Sequence, residues 1–453
     1  LPPRRKLGEL GGMQNTLAAG FRGFIAAAAI ATWGAALAGD VADIRPLVAA
    51  ARRAGLRVLE SKHLVLVTDR PDRAGDGVAD LPRIFDEAFA RWCDHYGIAA
   101  AAQRDWRGLG CLVVNPEAFR SAGLIDATVP AFRNGCSAGN RFWLADQPNP
   151  AYRRHLLLHE GVHAFTTTVR RLAAPEWYTE GIAEYLATHR LAADAAGVPR
   201  FEQTPIPART SDVEQLGRIE SLRAAAAAGR TEPLSRVFTA PVGNHEIAAY
   251  AASWAAVAFL SGHPAHAPHF AAAERGPLDE RFTERLTSRP GWDAARVARD
   301  HAAFIAELDY GYDFERTVID WSPGQPLTAA RRVAVAADRG WQNTGFTATA
   351  GPHCRFAATG RIEVGRLEAA DGTTTVLESE ADGITLRWYR GRPVGRLLVA
   401  QWIDDATGFR VLATGAEGEF TAAVPGPLFV KINESPGELA DNRGRLEVEF
   451  QPR

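Results

Sequence analysis

Residues 156 to 168 read LLLHEGVHAFTTT. His159 and His163 are four positions apart, so on an α-helix they lie one turn apart on one face and can offer imidazole nitrogens to a single point. Glu160 projects beside that point. A Zn²⁺ ion held by two neutral imidazoles and a carboxylate keeps one position for water, and an adjacent glutamate can take that water's proton. The chemistry indicated is metal-assisted hydrolysis, and it requires a rigid helix and a third ligand.

Both requirements are met nearby. Asn149 is a favoured N-cap, Pro150 suits the first helical position, and the run to about residue 170 holds no further proline. Leu156, Leu158, Val162 and Phe165 give that helix apolar surface to bury. Downstream, PEWYTEGIAEYLATH starts at Pro175, and Trp177, Tyr178, Ile182, Tyr185 and Leu186 follow helical spacing. Glu180 and Glu184 share one face of this second helix, one as third ligand and the other as acceptor for a histidine N–H. His155, one turn before His159, is either part of that supporting layer or a solvent-facing or otherwise satisfied histidine.

The pair HEGVH and WYTEG resembles the gluzincin metallopeptidases, whose aminopeptidase branch carries His-Glu-x-x-His and then Trp-x-x-Glu-Gly. The resemblance implies that His159, His163 and Glu180 are zinc ligands, Glu160 the general base and Glu184 the carboxylate behind the ligands. The gap from His163 to Glu180 is slightly shorter than usual in that branch. Upstream, HLVLVTD, a helical run near 75 to 97, GLGCLVV, PEAFRSAG and NRFWLAD read strand, helix, strand, short helix, strand. That order is similar to the N-terminal half of gluzincin-type domains, particularly a bacterial group of uncharacterised peptidase-like proteins. It implies that about Asn140 to Ala145 is an edge strand pairing with an extended substrate; plain structural pairing is the competing reading.

From about 190 to 320 the chain is helix-rich, with apolar spacing in SDVEQLGRIESLRAAAAAG, HEIAAYAASWAAVAFLSGH and AARVARDHAAFIAEL. Tyr250 and His245 are the polar candidates there for stabilising a tetrahedral oxyanion, a job gluzincins often give to this half; ordinary packing is the alternative. Near 322 the character changes: SPGQPL reads as a linker, followed by strand-like runs separated by Gly, Pro and Asp. A β-sandwich is expected. Its GWQNTGFTATAGPHCRFAATG, GRPVGRLLVAQW and FVKINESPGELADNRGRLEVEF resemble, in order, the calcium-dependent galactose-binding bacterial lectins. That resemblance implies Ca²⁺ on the ESPGELADN loop through Glu434, Glu438, Asp441 and Asn442, hard oxygen donors suited to the ion, and binding of glycans. Glu434 and Glu438 stand where shorter side chains are usual, and a polar loop without an ion is the competing reading.

With 51 Lys+Arg against 53 Asp+Glu, the balanced charge points away from nucleic acid. Met13 is the single methionine, and Arg22 precedes an apolar stretch from Phe24 to Leu37 that ends at a small-residue cleavage pattern, Ala36-Leu37-Ala38. Residues 1–38 therefore read as upstream residues and a signal peptide, giving a periplasmic or secreted protein with no transmembrane span in the mature chain; the apolar stretch is short for an anchor. Export permits disulfides, and Cys111 and Cys136, on or beside neighbouring expected strands, are the candidate bridge, against buried free thiols.

The expected fold is an α+β zincin-like half (39–190), a helical half (191–321) and an all-β sandwich (322–453). The expected function is an exported zinc metallopeptidase acting on a peptide or protein, with an accessory carbohydrate- or envelope-binding sandwich. The alternative is a secreted calcium-dependent carbohydrate-binding protein whose peptidase-like domain performs no turnover.

Overall fold

The computed structural model describes residues 41–129, 131–213, 216–240, 247–351, 353–368, 371–422 and 424–452. The expected signal segment with Met13, and His245, lie outside the described residues. The chain is α+β, with its β-rich region at the C-terminal end. Among the described residues, no helix is long and apolar enough to cross a membrane.

The first layers comprise α1 (Arg45–Arg53), β1 (Arg57–Glu60), β2 (Leu64–Thr68), α2 (Leu81–His95), β3 (Gly108–Val113), α3 (Pro116–Ser121), β4 (Gly135–Ala138) and β5 (Arg141–Ala145). The strands form one sheet in the order β1-β2-β3-β5-β4. β2, β3 and β5 are parallel, while β1 and β4 run antiparallel to their neighbours at the two edges. Period-2 alternation sends Leu64, Leu66, Leu112, Phe142 and Leu144 to one face and Val65, Val67, Leu109, Cys111 and Trp143 to the other, so each face has its own apolar core.

Two expectations change here. The strand at 140–145 is not an edge, because β4 covers it, and the free edge near the motif helix belongs to β4. Cys111 and Cys136 do not bridge: each pairs in register with Trp143, from opposite sides. They are two strand spacings apart, about 9.5 Å, beyond the roughly 7 Å that a disulfide spans. All four cysteines are buried free thiols.

The motif helix is α4 (Pro150–Val169), capped by Asn149, whose side chain accepts from Ala151 N at 2.8 Å and Tyr152 N at 3.0 Å. Every residue from His155 to Thr166 is buried, as befits a central helix covered on all sides. After it come α5 (Glu176–Ala187), a hairpin of β6 (His189–Ala193) and β7 (Pro199–Gln203), then α6 (Arg218–Ala227), α7 (Leu234–Phe238), α8 (Ile247–Gly262), α9 (Ala267–Glu274), α10 (Phe282–Thr287) and α11 (Ala294–Glu307). α5 packs against α8 at Gly181, where a Cβ would lie 2.8 Å from Val257 Cγ2. The glycine after Glu180 therefore lets the two helices close on each other.

The C-terminal strands are β8 (Gln325–Pro326), β9 (Arg331–Ala336), β10 (Gln342–Ala348), β11 (His353–Thr359), β12 (Ile362–Glu368), β13 (Thr374–Ser379), β14 (Asp382–Tyr389), β15 (Arg392–Trp402), β16 (Phe409–Thr414), β17 (Glu417–Thr421), β18 (Gly426–Ile432) and β19 (Arg443–Pro452). They form two sheets, β14-β15-β18-β10-β8 with β16 on β15, and β13-β12-β19-β11-β17 with β9 on β19. Residues 322–327 are not a free linker. β8 pairs with β10, and Trp321 packs among Trp402, Phe409 and Phe429 at 5.1 to 6.1 Å. Ala303 and Ile319 share a buried cluster with Trp341, Leu398, Ala400 and Phe429. At about 1.5–3 kcal/mol for each large apolar side chain buried, this contact fixes the sandwich against α11.

Candidate metal centre

α4 and α5 bring three ligand atoms to one point. His159 Nε2 and His163 Nε2 are 3.0 Å apart, and each lies 3.4 Å from Glu180 Oε2. With zinc–ligand bonds of about 2.0–2.2 Å, the ligand atoms of a tetrahedral site sit roughly 3.3–3.5 Å from one another. The two histidine–carboxylate sides match that spacing and the histidine–histidine side is slightly shorter, while the donor set of two imidazoles and one carboxylate is the chemistry zinc takes. Burial alone would raise the Glu180 carboxyl, but His163 and His159 outweigh it and bring it down to about 2. The carboxylate is thus charged and aimed between two imidazoles.

Glu184, one turn further along α5, stands behind His159. Its Oε1 lies 3.1 Å from His159 Nδ1, and its Oε2 lies 3.0 Å from His155 Nε2 and pairs with the Arg218 guanidinium. Burial opposes ionisation of Glu184, yet Arg218 and then the two histidines hold it well below the ordinary carboxylate range. His155 is therefore a buried, satisfied histidine in the supporting layer, not a solvent-facing one. Burial lowers its pKa. For His159, burial pulls down, but Glu184, Glu180 and Glu160 together push it up to about 10. The pocket is strongly anionic and suited to a cation.

Glu160 projects on the same side. Both its carboxylate oxygens are buried with no hydrogen-bond partner among the described residues, and burial raises its pKa, with Glu180 and Glu184 adding to the rise. A buried, unsatisfied carboxylate whose pKa is raised above the ordinary carboxylate value is a stronger proton acceptor than an exposed one. The β4 edge runs directly past it: a Cβ on Gly135 would lie 2.9 Å from Glu160 Cδ. Tyr250, on α8, faces the same pocket, its ring centroid 6.4 Å from that of His159. Burial and then the charges of Glu180, Glu184 and Glu160 raise its hydroxyl pKa, so it stays protonated.

Sequence reasoning missed Arg218 and Gly135. Arg218 is the one arginine or lysine, among the described residues, in ion-pair contact with Glu160, Glu180 or Glu184, and nothing local in GRIESL announces it. The RNGCSAG stretch carries a weak signal, small residues suited to close backbone approach.

The other side-chain clusters differ. His263, His266 and Asp300 are buried within reach of one another. Asp300 already accepts from Trp321 Nε1 at 2.6 Å and from His266 Nε2 at 2.8 Å. The two imidazoles stack at 4.5 Å and 22°, so their lone pairs do not converge on one point. The structure gives Glu434, Glu438, Asp441 and Asn442 different surroundings. Arg387 Nη2 donates to Glu438 Oε2 at 2.6 Å, and Arg387 and Asp441 both border Gly365. Glu434 turns into a buried cavity with Glu307, Lys431, Tyr312 and Trp341, while Asn442 donates to Ala337 O at 3.1 Å. The 434–442 loop is covered too: a Cβ on Gly437 would lie 2.9 Å from Gly311 Cα, and Asp313 N donates to Pro436 O at 3.3 Å. Arg387 thus already engages Glu438, one of the four expected calcium ligands, and residues 310–313 lie against the loop.

No family model matches the chain, and no curated protein matches it. Among solved structures, the chain is similar to one described as "EclA N-terminal domain; PllA-like lectin", at 18% identity and a TM-score of 0.19, covering 27% of this chain and 95% of that one.

Proposed function

We propose that this chain is a zinc-dependent hydrolase of peptide bonds built on a zincin-like fold. The observation that carries the reading is the triangle of His159, His163 and Glu180 ligand atoms at 3.0 to 3.4 Å with the unsatisfied Glu160 carboxylate beside it. A bound zinc would lower the pKa of its water and polarise the scissile carbonyl. Glu160 takes the water's proton and passes it to the leaving amine. The free edge of β4 pairs with an extended substrate backbone, laying the scissile bond over Glu160. Tyr250, kept protonated, donates a hydrogen bond to the oxygen on which charge develops. Export to the periplasm or outside the cell is part of the proposal, on the strength of the N-terminal sequence.

The sandwich acts in this reading as an accessory unit fixed to the helical half. The alternative, calcium-dependent glycan binding without turnover, is weakened by the covered 434–442 loop and its arginine. The test is metal analysis of protein purified without chelator, together with cleavage of a peptide library. One zinc per chain and metal-dependent cleavage are expected; a chain that takes up no zinc when it is offered refutes the reading.

A further inference from the structure

Arg218 sits at the first turn of α6, far along the chain from either motif, yet its guanidinium pairs with Glu184 Oε2 in the interior. Its side chain is only 13% exposed. The Glu184 carboxylate meets three side chains, and its two oxygens divide them unevenly. Oε1 lies 3.1 Å from His159 Nδ1, whereas Oε2 is shared by Arg218 and His155. A carboxylate free to rotate could turn either oxygen toward any of these groups. With a guanidinium fixed on one oxygen, the other is left facing His159.

That orientation matters to the neighbouring ring nitrogen. If Nδ1 carries the proton and gives it to Glu184, the Nε2 lone pair points to the spot shared with His163 and Glu180. Without the guanidinium on Oε2, the Glu184 carboxylate is free to rotate, and Oε1 is no longer held toward His159 Nδ1.

We propose that Arg218 is a positioning residue of the metal centre: reaching in from the helical half, it clamps Glu184 so that Glu184 fixes the His159 ring with Nε2 presented for ligation. This rests on the zinc reading above. It also ties the two halves of the catalytic region together, because the orientation of a ligand on α4 depends on the seat of α6.

The test is a double-mutant cycle read by zinc affinity in a chelator competition, with full-length protein. Arg218→Met and Glu184→Gln should each weaken zinc binding by about 10- to 100-fold, the usual penalty behind a ligand. If Arg218 acts through Glu184, adding Arg218→Met to Glu184→Gln weakens binding no further. Arg218→Lys, which keeps the charge but loses the planar fork, should fall between Arg218→Met and the wild type. If Arg218→Met does not fold, the same cycle with Arg218→Lys decides. Effects that multiply, or an Arg218 variant that binds zinc as tightly as the wild type, overturn the proposal while leaving the zinc reading standing. A wild-type chain that binds no zinc overturns both.

Discussion

Gly135 on the β4 edge and Glu160 on α4 touch so closely that a single methyl on the glycine would fall 2.9 Å from the carboxyl carbon. The backbone of Gly135 is not in the left-handed region, so alanine is conformationally acceptable there and the effect of substitution is steric. Gly135→Ala should displace the Glu160 carboxylate, keep zinc, and lower kcat by about 100-fold, the scale seen for misplacement of reacting groups by an ångström. An unchanged kcat would remove Glu160 from the reaction or Gly135 from its seat.

Glu160→Gln is nearly isosteric and removes no ligand atom. Zinc content should stay at one per chain while hydrolysis drops by at least about 100-fold, the lower end for losing a general base. Metal analysis and a peptide cleavage assay on the same preparation check both halves.

Glu180 and Glu184 differ by one turn of α5 but not in kind. Glu180 faces both Nε2 atoms, whereas Glu184 faces His159 Nδ1. Glu180→Ala should abolish measurable zinc binding, and Glu184→Ala should weaken it by about 10- to 100-fold. The reverse order in a zinc titration would exchange their roles.

Millimolar Ca²⁺ should leave the thermal midpoint of the full chain unchanged, because Arg387 already pairs with Glu438. A ligand that bound only the native state would raise the midpoint by mass action. A calcium-specific rise, measured against chelator and against magnesium, would restore the ion site that the loop's composition suggests.

Glu434 gives the sandwich contact a pH dependence. Burial raises its carboxyl to about 8, with Ser435 N–H and Arg387 opposing and Glu438 reinforcing the rise. The unfolded carboxyl ionises near its ordinary 4.5. Below that, both states hold the proton and the contribution is fully present; it is lost as pH rises through about 8, where the folded group ionises too. The thermal midpoint should therefore decline between those values, and Glu434→Gln should flatten the slope and raise the midpoint at the alkaline end. A slope identical in both proteins would show that Glu434 does not set it.

The sequence by itself determined what is encoded within a turn or two of chain. Asn149 and Pro150 start α4, helical spacing places His159 beside His163, and Pro175 precedes α5 with Glu180 and Glu184 on one face. Capping, φ restriction and the helical repeat are local properties, so they were legible without knowing the fold. Short apolar runs likewise marked the inner strands, which are buried on both faces, and Gly, Pro and Asp punctuated the strand-like runs of the C-terminal region.

Only the tertiary structure decided which strand is the edge, why Cys111 and Cys136 stay apart, and what holds Glu184. β4 is a short stretch flanked by glycines, and its pairing outside β5 depends on strand order, which no local pattern specifies. Arg218 reaches Glu184 because α6 packs beside α8, and Gly437 is covered because residues 310–313 fold against it. Long-range packing selects these partners through burial and charge compensation between segments distant in sequence. The composition of a loop or a helix face therefore names the chemistry available, and its neighbours in space decide whether a zinc ion, an arginine or another stretch of backbone meets it.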